Sequence, residues 1–182
     1  MADERAFNVY FGNRGALPGE VPVDGDEQLI LRGGTVYRAS AAAAYANAGM
    51  NANAVETTIT TVNVWESIGG VLVAGLTAPT FIFAANQFTY IGVNHIAPAS
   101  IRASMSAIAA DAVAGLTYEV GVFVNGIQVG LSMSVNATST EVGFVLVEAA
   151  HPLQTNDIID MRVRNIKDAT NVTLIDAQLV IR

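Results

Sequence analysis

The chain has 182 residues, with 9 Lys plus Arg against 16 Asp plus Glu and a formal net charge of −7. No basic cluster is present, which disfavours nucleic-acid binding, and the absence of cysteine excludes disulfides, thiolate metal sites and a thiol nucleophile. Hydrophobic residues make up 52% and charged residues only 14%, a balance that leaves apolar surface for an oligomer to cover.

The start, MADERAFNVYFGNRG, lacks a basic stretch followed by an apolar run, so no secretory signal is expected. Residues 1–34 carry Pro18 and Pro22 within an acidic run of Glu20, Asp24, Asp26 and Glu27. Their apolar clusters, Phe7, Val9, Tyr10 and Phe11, then Leu29, Ile30 and Leu31, are too small for a core. The stretch reads either as an extended arm that orders against a partner or as a frayed terminus. In the arm reading Phe7, Tyr10, Phe11, Leu29, Ile30 and Leu31 do the anchoring. Residues 39–54 are rich in Ala and Asn and read as a short helix or a linker. Residues 1–55 are thus expected to be arm and linker, and residues 56–182 a globular head.

From residue 57 strand signals dominate. TTITTVNVW is rich in β-branched residues, and short apolar runs follow at 71–76 and 80–83. The uncharged stretch 68–85 has nearly the length of a membrane span, but Gly69, Gly70, Gly75 and Pro79 interrupt it and no basic flank marks an inside end. Its sequence predicts a buried pair of strands, and no membrane association. Residues 88–93 form the next candidate strand, and Pro98 is expected to break the chain. Residues 101–109 alternate, with Ile101, Ala103, Met105 and Ala107 on one face. Residues 116–135 read as a hairpin: Tyr118, Val120, Val122 and Val124 alternate before Asn125-Gly126, and Ile127, Val129, Leu131, Met133 and Val135 alternate after it. Asn-Gly suits the two positive-φ positions of a type I′ turn. Further strands are expected at 141–147, 158–165 and 172–182. Short strands between Gly, Asn, Asp and Pro predict an all-β antiparallel two-sheet sandwich.

The order of these segments carries a resemblance. A strand near TYIGVNHIAPASIRASMSA leads to YEVGVFVNG, a return strand, FVLVEAAHPLQTNDIIDMRVRN, and a terminal VTLIDAQLVIR. This resembles the jelly roll of tumour necrosis factor-like and complement-type globular heads. There a G-x-Y-x-I-x-A strand, a strand ending in N-G, an L-x-x-G-D turn and a final L-x-I strand recur in that order. Leu153-Gln154-Thr155-Asn156-Asp157 matches that turn with Asn156 in place of Gly, and Asn tolerates the left-handed conformation next best. Gly92 is followed by Val93 and Asn94, so the Gly-x-Tyr of the family is missing. The resemblance implies a homotrimer. In 141–147, Val142, Phe144 and Leu146 share one face, and Val145 and Val147 share the other with Gly143. A strand apolar on both faces is expected to be buried on both. Val142, Gly143, Phe144, Val145 and Val147 are therefore the expected subunit interface, unless the N-terminal segment folds back over this strand.

Catalytic patterns are sparse. His95 and His151 read as loop residues outside any metal-binding motif. Ser100, His151 and Asp157 make a triad on paper only, because no G-x-S-x-G turn supports it. Asp157, Asp160, Asp168 and Asp176 fall near turns or on a polar strand face and are expected to be solvated or paired with Arg162, Arg164 and Lys167 rather than to bind calcium. No cofactor, no metal and no enzyme activity are expected. The reading that accommodates these features is a structural bacteriophage virion protein of the capsid decoration (cement) or head-fibre type. It would be a homotrimer on the outer surface of the capsid, bound to the major capsid protein. A tail-fibre tip that binds a host receptor and a secreted cytokine-like or adhesive head are the alternatives.

Overall fold

The computed structural model describes residues 27–32, 35–40, 45–93, 96–110 and 116–182; the side chains of 27–40 and of Ala97 are outside the description. Two compact units divide between Ala42 and Ala43. In the first, β1 (Glu27–Arg32) and β2 (Thr35–Ser40) form a two-stranded antiparallel hairpin with Leu29 opposite Arg38, Ile30 opposite Tyr37 and Leu31 opposite Val36. Part of the expected arm is thus a paired hairpin, while Phe7, Tyr10 and Phe11 lie outside the described residues.

The second unit is an all-β jelly-roll sandwich. Its strands are β3 (Ala46–Met50), β4 (Glu56–Thr57), β5 (Glu66–Ser67), β6 (Val73–Thr77), β7 (Phe81–Ala84), β8 (Gln87–Tyr90), β9 (Ile96–Ala109), β10 (Leu116–Val124), β11 (Ile127–Ala137), β12 (Gly143–Leu153), β13 (Ile158–Asn165) and β14 (Val172–Ile181). One sheet runs β12-β9-β14-β3-β6, with β4 beside β14; the other runs β11-β10-β13-β8-β7, with β5 beside β13. All pairings are antiparallel.

Alternation drives the assembly. On β10 the buried side chains are those of Leu116, Tyr118, Val120, Val122 and Val124; β9 contributes Ala99, Ile101, Ala103, Met105 and Ala107. Ile159, Met161 and Val163 of β13 and Leu174, Leu179 and Ile181 of β14 complete the layer between the sheets. Each fully buried large side chain contributes roughly 1.5–3 kcal/mol. The β10–β11 turn has φ +52° at Asn125 and +76° at Gly126, the positive pair expected of Asn-Gly, and Asn156 has φ +74° at its own turn.

Three expectations need correction. Residues 46–50 form neither helix nor linker: Ala46 and Ala48 are buried in a strand between β14 and β6, so the head begins near Ala43 rather than at residue 56. Residues 57–65 are largely not a strand; only Glu56–Thr57 and Glu66–Ser67 pair, in different sheets. This stretch must cross from one sheet to the other, and that path overrides its β propensity. Pro98 does not break the chain but lies within β9, where the pairing with β12 slips between His151 and Leu153. A bulge of this kind tolerates a residue that lacks an N–H.

Backbone hydrogen bonds outside the strand ladders mark the two ends of the sandwich. At one end, where the chain enters the head, Ala78 N–H donates to Tyr45 O, Ile91 to Thr80, Tyr90 to Asp157 and Asn125 to Ile158. At the other, Asn63 N–H donates to Asn165 O and Ala110 to Asn171. This second end is organised by Asn165, which is fully buried. Its Nδ2 donates to Asp168 Oδ1 (2.7 Å) and Thr170 O (3.2 Å), and its Oδ1 accepts from the backbone N–H of Lys167 (2.9 Å) and Asp168 (3.2 Å). Tyr118 Oη, from the core, donates to Asn171 O at 2.9 Å. The crossing segment is clamped onto the outer face of the β10–β13 sheet by Trp65. Its ring lies edge-on to Phe123 at 5.1 Å, Arg164 sits 4.4 Å over it, and Arg162 sits 4.6 Å over Phe123. Glu119 and Asp160 hold these two guanidinium groups from the side.

Replacing Asn165 by Ala removes a fully buried side chain and its four hydrogen bonds to part-buried partners, and is expected to cost about 2–4 kcal/mol in chemical denaturation. Asp168 is exposed enough for its effect to be read by pH alone. The Thr170 N–H bond holds its carboxyl below the usual range, with Asn165 and Lys167 adding to this. A depressed folded pKa gives stability that is present above the ordinary carboxylate pKa and lost as pH falls through the lowered one. Asp168→Asn should therefore flatten the acid limb of a stability–pH curve and leave its slope at neutral pH unchanged.

Candidate subunit interface

A β-sandwich covers its inner faces but leaves two open flanks, and here both flanks are apolar. The first is formed by β11 and β12, the neighbouring edge strands of the two sheets. Two glycines let them close on each other. A Cβ at Gly130 would stand 2.8 Å from Ala149 Cβ, and one at Gly143 would stand 2.4 Å from Asn136 O and Val135 Cγ2. Gly130 has φ +71° and sits where β11 slips against β10, between the pairs Val122–Val129 and Val120–Met133. The bulge displaces Leu131, which is 82% exposed, and leaves Met133 half exposed. Val129 and Val135 remain turned to the core side.

The expected interface set divides across β12. Val145 and Val147 are buried in the sandwich core, and Gly143 is buried against β11. These three therefore do not form an outer surface and leave the expected interface set, because their face of the strand meets the opposite sheet and β11. Val142 and Phe144 do lie outside, with Phe144 70% exposed, and Leu146 lies with them.

The second flank is β6 and β7, drawn from the uncharged stretch. Residues 68–85 form strands as expected, but the pair is not buried. Ile68, Leu72 and Phe81 turn inward, while Val71, Val73, Leu76 and Ile82 are exposed, Leu76 by 75%. Among the described residues no helix is long and apolar enough to cross a membrane.

Between the flanks, the outer face of the β12-β9-β14-β3-β6 sheet holds an open concavity of about 660 Å³. Phe144 borders it on one side and Val73 on the other, with Ser104, Ser106, Asp176 and Gln178 between them. Phe144 pairs with Ser106, and Leu146 with Ser104, which fixes their common direction. Asp176 accepts from Ser106 Oγ at 3.0 Å and from Ala52 N–H at 3.2 Å. Further along, Glu148 meets Arg102 at 3.1 Å and Ser100 Oγ at 2.6 Å, and the Ser100 hydrogen bond, then Arg102, lowers its pKa.

The residues considered for chemistry are dispersed. Ser100 is committed to Glu148 and Asp157 to Asn125 and the Gln154 N–H, so the paper triad is not hydrogen-bonded together. His151 lies in β12, and His95 is outside the described residues. Asp160 pairs with Arg162, Asp168 with Asn165 and Asp176 with Ser106, and among the described residues no group of three His, Cys, Asp or Glu stands ready for a metal. The exposed apolar flanks were partly legible in the low charge count; the concavity between them was not, because its polar side chains come from separate strands.

No family model matches the sequence, and no curated protein sequence does. Solved structures similar to this chain include murine APRIL, 8% identical with a TM-score of 0.44 over 75% of this chain and 98% of that chain. The PRD1 vertex protein P5 is 9% identical, with a TM-score of 0.45 over 93% and 90%. Eiger TNF from S. frugiperda is 12% identical, with a TM-score of 0.43 over 75% and 91%. The fold rests on the strand pairing described above.

The split of β12 gives a paired test. Val145→Asp buries an unpaired carboxylate in the core and should unfold the head, at a cost of several kcal/mol. Phe144→Asp should leave the fold intact by circular dichroism while shifting the mass by light scattering to that of a single chain.

Proposed function

We propose that this chain is a non-enzymatic structural protein of a bacteriophage virion, a homotrimeric capsid decoration or head-fibre protein that binds the major capsid protein on the outer surface of the shell. The observation that carries the oligomer is the pair of unlike apolar flanks on opposite sides of one sandwich. One flank projects Leu131 and Met133; the concavity lies between Phe144 of that flank and Val73 of the other. A knob that fits a hollow elsewhere on the same molecule makes a heterologous contact, and such contacts close into rings when the rotation allows. The number three follows the resemblance of the jelly roll rather than the flanks themselves.

The capsid assignment is supported by the division of labour along the chain. A separate unit precedes a head that has its own core. The Phe7, Tyr10 and Phe11 cluster and Leu29, Ile30 and Leu31 belong to that preceding part. The head end at which the chain enters also exposes Ile91, Val93, Ile127 and Ile158, Val93 by 90%. In a ring, three arms start from equivalent ends. Weak contacts per arm then gain roughly two to four orders of magnitude through effective concentration if all three engage at once.

Light scattering at micromolar concentration should give a trimer, and a clean monomer would remove the proposal's basis. Deleting residues 1–42 should leave a folded trimer that no longer sediments with undecorated capsids. If the truncated trimer binds them as the full chain does, anchoring lies in the head.

A further inference from the structure

The β10–β11 turn joins a reactive dipeptide to a device that restrains it. Asn followed by Gly is the pair in which a backbone nitrogen reaches the preceding side-chain amide most freely, because glycine has no Cβ to hinder the approach. Here both residues are exposed to water, and a Cβ at Gly126 would meet only Arg162 Nη2, at 3.8 Å. Packing therefore does not shield the turn. What holds the amide is a latch to the neighbouring β13 turn. Asn125 Nδ2 donates to Asp157 Oδ1 at 2.7 Å, and Asn125 Oδ1 accepts from Ile158 N–H at 3.0 Å. The backbone adds Asn125 N–H to Ile158 O at 2.8 Å. Asp157 is itself fixed, since its Oδ2 accepts from Gln154 N–H at 2.7 Å. Both polar atoms of the Asn125 side chain are thus bound on the side of residues 157 and 158. Swinging Cγ over Gly126 N requires breaking both bonds.

We propose that Asn125 is a conditional deamidation site, held unreactive by Asp157 while the two turns are docked and released when they part. The chemistry needs only water. Gly126 N attacks Asn125 Cγ, a C–N bond forms, and Nδ2 leaves as ammonia carrying the proton from Gly126 N–H. Water then adds to one of the two carbonyls of the resulting succinimide and the C–N bond at that carbonyl breaks. Opening at the side-chain carbonyl gives Asp; opening at the backbone carbonyl gives isoaspartate. Neither product can relatch. Asp replaces the NH2 donor by a carboxylate oxygen facing Asp157 Oδ1; isoaspartate loses that donor because Cγ is now bonded to Gly126 N within the main chain, which lengthens the backbone of a two-residue turn whose geometry sets the β10–β11 register. The change is one-way and would mark every molecule whose chain-entering end has once come open.

The test compares the intact protein, the Asp157→Ala variant and a free peptide spanning the turn, incubated in warm, mildly alkaline buffer and followed by mass spectrometry of the peptide containing Asn125. The native chain should deamidate roughly tenfold or more slowly than the peptide, because the attack geometry breaks two hydrogen bonds, one of them to a carboxylate. Folded Asp157→Ala, checked by circular dichroism, should approach the peptide rate. A native rate equal to that of the peptide overturns the proposal, as does a folded Asp157→Ala protein that reacts as slowly as the native one. If Asp157→Ala does not fold, the native-to-peptide comparison still decides, together with Asn125→Asp, which mimics a product. That variant should lower Tm by about 2 °C or more, and a Tm at or above that of the native protein also overturns the proposal.

Discussion

The whole head depends on the register of four central strands. β9, β10, β13 and β14 turn an apolar residue inward along their length, and these residues form the centre of the layer between the two sheets. A slip of one residue would turn each inward set to water at once. The devices that fix register are therefore structural necessities rather than ornaments of the loops. Asn125-Gly126 sets the pairing of β10 with β11, the Asn156 turn sets the start of β13, and buried Asn165 sets its end. Where register does change, it changes by defined bulges: at Gly130, beside Pro98, and between Leu174 and Asp176.

Closing two faces leaves the flanks, and the chemistry of the flanks governs everything beyond the single chain. Natural edge strands usually carry charge, proline or a twist that discourages pairing. β6 and β7 carry none of the charge, and β11 has none either. Their exposed Val, Leu, Ile and Met side chains make sense when a neighbour covers them. The same arrangement is a hazard if ring closure fails, because a heterologous contact that does not close propagates as a fibre.

Much of this architecture was legible from alternation. The hairpin at 116–135, the strand at 158–165 and the final strand are legible from a period of two, because each turns one apolar face to the core. The strand at 46–50 was missed because Ala and Asn carry no β signal; its place is set by the closeness of β14 and β6, which no local pattern encodes. Residues 57–65 misled in the opposite sense, since Thr and Val there serve a crossing rather than a ladder. The apolar character of both faces of 141–147 was visible, but not which face met the core. Val145 and Val147 could be placed inside only once Gly143 was seen packed against β11.

The clamp of the crossing segment has a spectroscopic consequence. Trp65 is the single tryptophan of the chain, and it lies on the outer face of a sheet, edge-on to Phe123 and under the Arg164 guanidinium. Its indole therefore sits outside the interior that the large buried side chains define. Intrinsic emission excited in this ring will follow the undocking of residues 58–65 from the sheet, an event that can precede the cooperative loss of the sandwich. Fluorescence and far-ultraviolet dichroism would then trace different transitions in the same molecule. A midpoint taken from emission alone would describe the crossing segment rather than the head.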